Sequence, residues 1–222
     1  MADMAKVVFL LDVDNTLLDN DRITADLMRH LELNVGRNGQ QRYQALFEEL
    51  RGQLGYADYL GALQRYRVEY PRDVRILAVS SFLVNYPFAT RLFPDSLDTV
   101  ERCQQFGTAA IVSDGDVVFQ PLKIERSGLM ETFRGNILIY IHKERELDDV
   151  AQHYPADHYV FIDDKVRILT AVKAAWGSRV TTVFPLQGHY ARDQAEVAKY
   201  PPADVTIERI GLLAHYDLAT LI

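Results

Sequence analysis

Residues 7–11, Val-Val-Phe-Leu-Leu, contain no polar side chain and run straight into Asp12-Val13-Asp14-Asn15-Thr16. An apolar run of that length, β-branched at its start and closed by polar residues, reads as a strand buried on both faces. Two carboxylates one residue apart at its carboxyl end are expensive to hold together. At about 4 Å they repel by roughly 4 kcal/mol if the effective dielectric is about 20. A fold that places them at a strand tip offsets this with a cation or a shared proton. A divalent metal acting on a phosphate-bearing substrate is the first chemistry the pattern suggests.

Four more short apolar runs resemble the first: Thr108–Val112, Ile137–Ile141, Tyr159–Ile162 and Val180–Phe184. Each follows a helical pattern or a turn signal. Asp95-Ser96 is suited to capping a helix that ends at Gly107, and another helix ends at Gly128. A third runs from about Glu144 to His153. A fourth carries Val166, Leu169, Val172 and Trp176 at helical spacing. Strands alternating with helices predict the α/β class, a doubly wound parallel sheet with right-handed crossovers. From about Leu17 to Ala89 the alternation stops, and three or four helical stretches stand where no strand is evident. That is too long for a crossover loop. It predicts an inserted all-helical lobe over 17–89, above a core built from 1–16 and 90–222.

With 222 residues the chain is long enough to bury about 70–75% of its unfolded surface, so its core needs no covalent staples. The net charge of −7 argues against a nucleic-acid binder that relies on a basic face. It leaves room for a small anionic substrate, because a metal and a few local cations dominate the field in a cleft. Cys103 is the sole cysteine, and it falls on the apolar side of a helical pattern with Leu97, Val100 and Phe106, which predicts core packing. The five-residue apolar stretch near the amino terminus is too short for a secretory leader. No apolar run reaches the 18 residues that suggest a membrane span. The expectation is a cytoplasmic protein with neither membrane nor nucleic acid as a partner.

The carboxyl ends of the predicted strands carry, in turn, Asp12 and Asp14, then Ser113-Asp114-Gly115, then His142-Lys143, then Asp163-Asp164. Ligands bind outside these ends in open parallel sheets. Two acids, a hydroxyl, a cation and two more acids therefore converge on one crevice.

This set resembles the haloacid dehalogenase superfamily in its phosphatase branch. Asp12-Val13-Asp14-Asn15-Thr16 matches the first family motif, Ser113 the second, Lys143 the third and the pair Asp163-Asp164 the fourth. Asp19 falls where many members carry an acid, and the helical insertion sits where the family's cap sits. Two features depart from the common pattern: Glu144 follows Lys143 where many relatives have Pro, and Lys165–Leu169 contains no acid. The chain thus resembles the Asp-Asp variant, with Asp164 favoured by position as the direct metal ligand and Asp163 in support.

The resemblance implies a Mg²⁺-dependent phosphomonoester hydrolase. Asp12 would attack phosphorus and form an acyl phosphate. Asp14, on the same side of the strand tip, would protonate the leaving oxygen and then take a proton from water. Asp12, the main-chain carbonyl of Asp14 and Asp164 would supply part of the metal's oxygen shell. Ser113 and Lys143 would hold the phosphate oxygens. The superfamily's dehalogenases attack carbon, need no metal and lack an acid at the position of Asp14. A phosphomutase using the same nucleophile, and a relative that binds a phosphorylated ligand without turnover, are the alternatives.

The remaining candidates read as structural. Lys123, within the helix of the second crossover unit, is expected at the surface. Tyr56, Tyr59, Leu63, Tyr66 and Tyr70 form one face of a helix, expected to pack the cap, with a wall for the substrate's leaving group as the sharper alternative. Arg51, Arg65, Arg67 and Arg72 lie nearby and are expected on solvated faces. His189 lies near the crevice and is expected to be structural. The substrate is expected to be a small phosphorylated metabolite.

Overall fold

Six parallel strands form the sheet of the computed structural model, which describes residues 6–222; residues 1–5, the start of the core segment expected over 1–16, lie outside the described residues. The strands are β1 (Val7–Leu11), β2 (Thr108–Asp114), β3 (Ile137–Tyr140), β4 (His158–Ile162), β5 (Val180–Pro185) and β6 (Val205–Ile207), in the order β3-β2-β1-β4-β5-β6. The first strand lies inside the sheet, where its side chains are covered on both faces. Val7, Phe9 and Leu11 pack into the core that continues into the cap, while Val8 and Leu10 pack into the core on the opposite face. Five of the six strands are those the apolar runs predict. The sixth has three residues at the sheet edge, too few to show a period.

The strand order places the sequence motifs together. Leu11 is paired with Ile111 of β2 and with Ile162 of β4. Asp12, Val112 and Asp163 are therefore level at the carboxyl edge. Successive strands are added to one side of β1 and then to the other, and this reversal of strand order opens the crevice there, as expected for a doubly wound sheet.

Between β1 and β2 stand three cap helices, α1 (Asn20–Leu54), α2 (Tyr59–Glu69) and α3 (Ile76–Asn85). Asp19 caps α1, its side chain accepting from the Arg22 N–H at 2.9 Å. The long first helix is broken at Gly36, whose φ of +80° lies in the left-handed region. Leu27, Leu31, Tyr43, Leu63, Tyr66, Val79 and Leu83 interlock as the apolar interior of the cap.

In the core, α4 (Ser96–Phe106), α5 (Phe119–Arg126), α6 (Leu129–Thr132), α7 (Leu147–His153) and α8 (Val166–Trp176) follow the strands, with two short helices, α9 (Gly188–Arg192) and α10 (Gln194–Val197), before β6. One local expectation is corrected, and α4 ends at Gly107 as expected. Asp95 stands at the N-cap of α4 but makes no side-chain cap bond; Ser96 instead donates its hydroxyl to the Leu17 carbonyl at 3.0 Å, fastening α4 to the loop after β1. Gly107 follows α4 in extended, not left-handed, backbone, with φ −176°. Glycine is required there by space, because a Cβ would lie 2.2 Å from the Val7 carbonyl oxygen. Cys103 is fully buried, as its helical position predicts.

Candidate active site

The loop leaving β1 is wound tightly, and the Val13 carbonyl accepts from the N–H groups of Leu17 and Leu18 at 3.0 and 2.9 Å. Asn15 takes a left-handed conformation, φ +60°, which Asn tolerates better than most side chains. Its amide bonds the Asp21 side chain and backbone at 3.0 and 3.1 Å, tying the loop to the first turn of α1. Gly188 packs against Asn15 so closely that a Cβ would come within 2.4 Å of it. Thr16 accepts from the Asp164 N–H at 3.1 Å, which joins the first and fourth motifs directly.

Asp12, Asp163 and Asp164 are all buried, and each presents a carboxylate oxygen within 4.8 Å of the others. Between two of them sits the Lys143 ammonium, 2.5 Å from Asp12 Oδ1 and 2.6 Å from Asp163 Oδ2, also donating to the Val112 carbonyl at 3.1 Å. Burial works against the charge on Lys143, but Asp12, Asp163 and Asp114 outweigh it and raise the ammonium above its ordinary value. Lys143 and Lys165 together do not offset the burial of three carboxylates. Burial pushes Asp163 up to about 6 despite Lys143, and raises Asp164 well above the usual carboxylate range despite Lys165. Both oxygens of Asp164 and Oδ2 of Asp12 are buried with no hydrogen-bond partner among the described residues. Buried polar atoms in native folds are nearly always satisfied. An oxygen-only set with free lone pairs fits a hard divalent cation.

Ser113 lies beside the cluster, its hydroxyl 3.5 Å from Asp12 Oδ1 and accepting from Gln120 Nε2 at 2.9 Å. The carboxylate of Asp14 is outside the acidic cluster and faces a cavity of about 800 Å³ between cap and core. Its partner corrects the sequence expectation for Lys123. Far from lying at the surface, Lys123 is 1% exposed and its ammonium donates to both Asp14 oxygens, at 2.6 and 2.7 Å. The buried face of α5 carries Phe119, Gln120, Lys123 and Ile124, so two polar residues three apart project inward with the apolar ones. That pairing on a core-facing side was the available signal for both Gln120 and Lys123.

The tyrosine stripe divides. Leu63 and Tyr66 are cap interior; Tyr59 is buried yet also lines the cavity, joined there by Tyr56 just before α2; Tyr70 is exposed. Of the four arginines, Arg51 reaches the cavity, its guanidinium 5.7 Å from the Tyr190 ring centre. His189 bridges core to cap through Asp21, 2.6 Å away. Glu144, standing where many relatives have proline, pairs with Arg167 at 2.7 Å and packs the third motif against α8.

No family model matches the chain, and neither does any curated protein. A solved structure decides the matter. A protein of Burkholderia xenovorans LB400 described as a haloacid dehalogenase-like hydrolase is 58% identical, covers 96% of this chain and 99% of its own, and superposes with a TM-score of 0.91. The chain belongs to the haloacid dehalogenase-like hydrolases. Two more distant members share the fold. One is a hydrolase of Bacillus subtilis solved with magnesium, at 16% identity and TM-score 0.61, covering 95% of this chain and 98% of its own. The other is an L-2-haloacid dehalogenase, at 14% identity and TM-score 0.61, with the same coverage. Haloacid dehalogenase-like hydrolases use an aspartate for the chemistry, and this chain presents its aspartates at the carboxyl edge of the sheet. Among the described residues no helix is long and apolar enough to cross a membrane.

Proposed function

We propose that this hydrolase is a Mg²⁺-dependent phosphatase that cleaves a small phosphorylated metabolite through an aspartyl phosphate on Asp12, with residues 17–89 acting as the cap. The observation that carries this reading is the buried, unpartnered pair of oxygens on Asp164 beside Asp12 Oδ2. Attack on carbon, as in the dehalogenases, has no use for such a set.

Asp12 and Asp164 would hold the metal directly, together with the Asp14 carbonyl, because Asp163 is already engaged by Lys143 and by the Lys165 N–H at 2.8 Å. Bound there, Mg²⁺ supplies the positive charge that offsets repulsion between the incoming phosphate and the nucleophile. Lys143 fixes the rotation of the Asp12 carboxylate so that it meets phosphorus in line. As the bond from Asp12 to phosphorus forms, the bond to the leaving oxygen breaks, and Asp14 gives that oxygen a proton. Water then attacks phosphorus, its proton passes to Asp14, and Asp12 and inorganic phosphate are freed. Ser113, oriented by Gln120, and Lys143 hold the phosphoryl oxygens, on which charge is spread in the transition state.

A second reading rests on the burial of Asp12, which is 2% exposed. A site that excludes water favours transfer of the phosphoryl group to a sugar hydroxyl. The test is release of inorganic phosphate from an aryl phosphate and from sugar phosphates, with Mg²⁺ or with chelator, by the wild type and by Asp12→Asn. Metal-dependent release that vanishes in Asp12→Asn supports the phosphatase, and isomerised sugar phosphate without release supports the mutase. Chloride release from a 2-chloroacid, insensitive to chelator, would overturn both.

A further inference from the structure

The Lys123 ammonium spends two donors on Asp14 and points at a third acceptor, the Asn20 side-chain oxygen, 3.2 Å away. Asn20 is the first residue of α1, the element by which the chain enters the cap. Its amide donates in turn to the Tyr59 hydroxyl at 3.2 Å, and that hydroxyl lies 3.0 Å from Thr24 Oγ1. Tyr59 opens α2 and is itself anchored, its carbonyl accepting from the Tyr43 hydroxyl at 2.9 Å. A continuous polar chain therefore runs from the catalytic loop through α5 of the core to two cap helices. Aromatic rings enclose it: Tyr59 packs on Phe47 and on Phe119, with centroids 4.8 and 5.4 Å apart. In so enclosed a setting each bond is strong, and each unmade one is costly.

We propose that Lys123 is a positioning residue that ties the Asp14 carboxylate to the cap through Asn20 and Tyr59, so that seating the cap places the acid–base group. This rests on the phosphatase reading for the role of Asp14. The arrangement has a physical rationale. With the cap displaced, Asn20 and Tyr59 leave the chain and Lys123 loses its third acceptor. The Asp14–Lys123 pair then gains freedom to reorient, and proton delivery to the leaving oxygen loses its geometry. With the cap seated, the pair is locked at the cavity floor, beneath the space for the leaving group. Proton transfer is thereby confined to the closed enzyme, from which bulk water is excluded.

The test is a double-mutant cycle on kcat, with KM measured throughout, using an alkyl phosphate whose leaving oxygen requires a proton. Well-positioned acid–base catalysis contributes about 10²–10⁴-fold. Lys123→Met is expected to lower kcat by about 30-fold or more while KM stays within about 3-fold. Tyr59→Phe, which removes one oxygen and keeps the ring, is expected to lower kcat several-fold. Because both act through one chain, the double variant is expected to be no slower than Lys123→Met alone. Multiplied losses, or equal losses with aryl and alkyl leaving groups, would overturn the proposal. A second measurement does not depend on turnover: amide exchange in the first turns of α1 and α2 is expected to speed up about tenfold in both variants. If the wild type turns over no phosphate ester, the phosphatase reading falls. In that case unchanged exchange in the variants would overturn the tie between Lys123 and the cap.

Discussion

Asp164→Asn is expected to make the metal-free protein more stable and the metal-loaded protein less so. In the folded state Asp12, Asp163 and Asp164 bring oxygens within 4.8 Å of one another. At that separation two full charges repel by about 3.5 kcal/mol if the effective dielectric is about 20. Lys143 lies against Asp12 and Asp163, and neither of its ion pairs includes Asp164. Replacing Asp164 with Asn removes that charge, and the new amide can donate to the unpartnered Oδ2 of Asp12. A net gain of about 2 kcal/mol is expected, less than the full Coulomb figure because protonation and the attraction of Lys165 already relieve part of the repulsion. For a chain of this size it corresponds to a rise of about 4–8 °C in Tm without metal. Magnesium at 100 times its Kd stabilises the wild type by about 2.7 kcal/mol and is expected to leave the variant unmoved. Differential scanning calorimetry with chelator and with Mg²⁺ measures all four values. A metal-free variant less stable than the wild type, or one that responds equally to Mg²⁺, would refute the assignment of these oxygens to a cation.

Burial raises Asp163 to about 6 and holds Asp164 well above the usual carboxylate range, so protons compete with the cation as pH falls. Apparent Mg²⁺ affinity, followed by titration calorimetry, is expected to weaken progressively from pH 7 to pH 5. The sign for stability without metal is the reverse of the usual acid case. A carboxyl whose folded value is raised contributes stability at low pH that is lost as pH climbs from its ordinary value toward 6. Asp14→Asn should retain the fold and lower kcat by about 10²-fold or more, with most of the loss on alkyl leaving groups. Cys103 is pushed up to about 12 by burial, so its thiol is expected to react with alkylating agents at pH 8 only as fast as the chain unfolds. Gly107→Ala is expected to destabilise by about 1–3 kcal/mol, read by urea denaturation, because its Cβ would press on the Val7 carbonyl.

Much of the site was legible in the chain itself because β-strands buried on both faces announce themselves as unbroken apolar runs. The residue that ends each run must then stand at the sheet's edge. Asp12, Asp14, Ser113, Lys143, Asp163 and Asp164 could be placed by that rule alone, before any contact was known. The same local logic predicted a helical insertion after β1, and no strand interrupts α1, α2 and α3. It failed where partners are chosen across long distances in sequence. Lys123 looked solvated because a lysine in a helix usually is, yet 109 residues separate it from the Asp14 carboxylate that makes its burial tolerable. Gly107 ends α4 as the sequence predicts, but what demands glycine there is the Val7 backbone, a hundred residues earlier, which leaves no room for a side chain. The sequence by itself determined which residues stand at the ends of the buried strands. Only the tertiary structure decided which of them share charge, because electrostatic partnership depends on distance through space and on the solvent excluded between the groups.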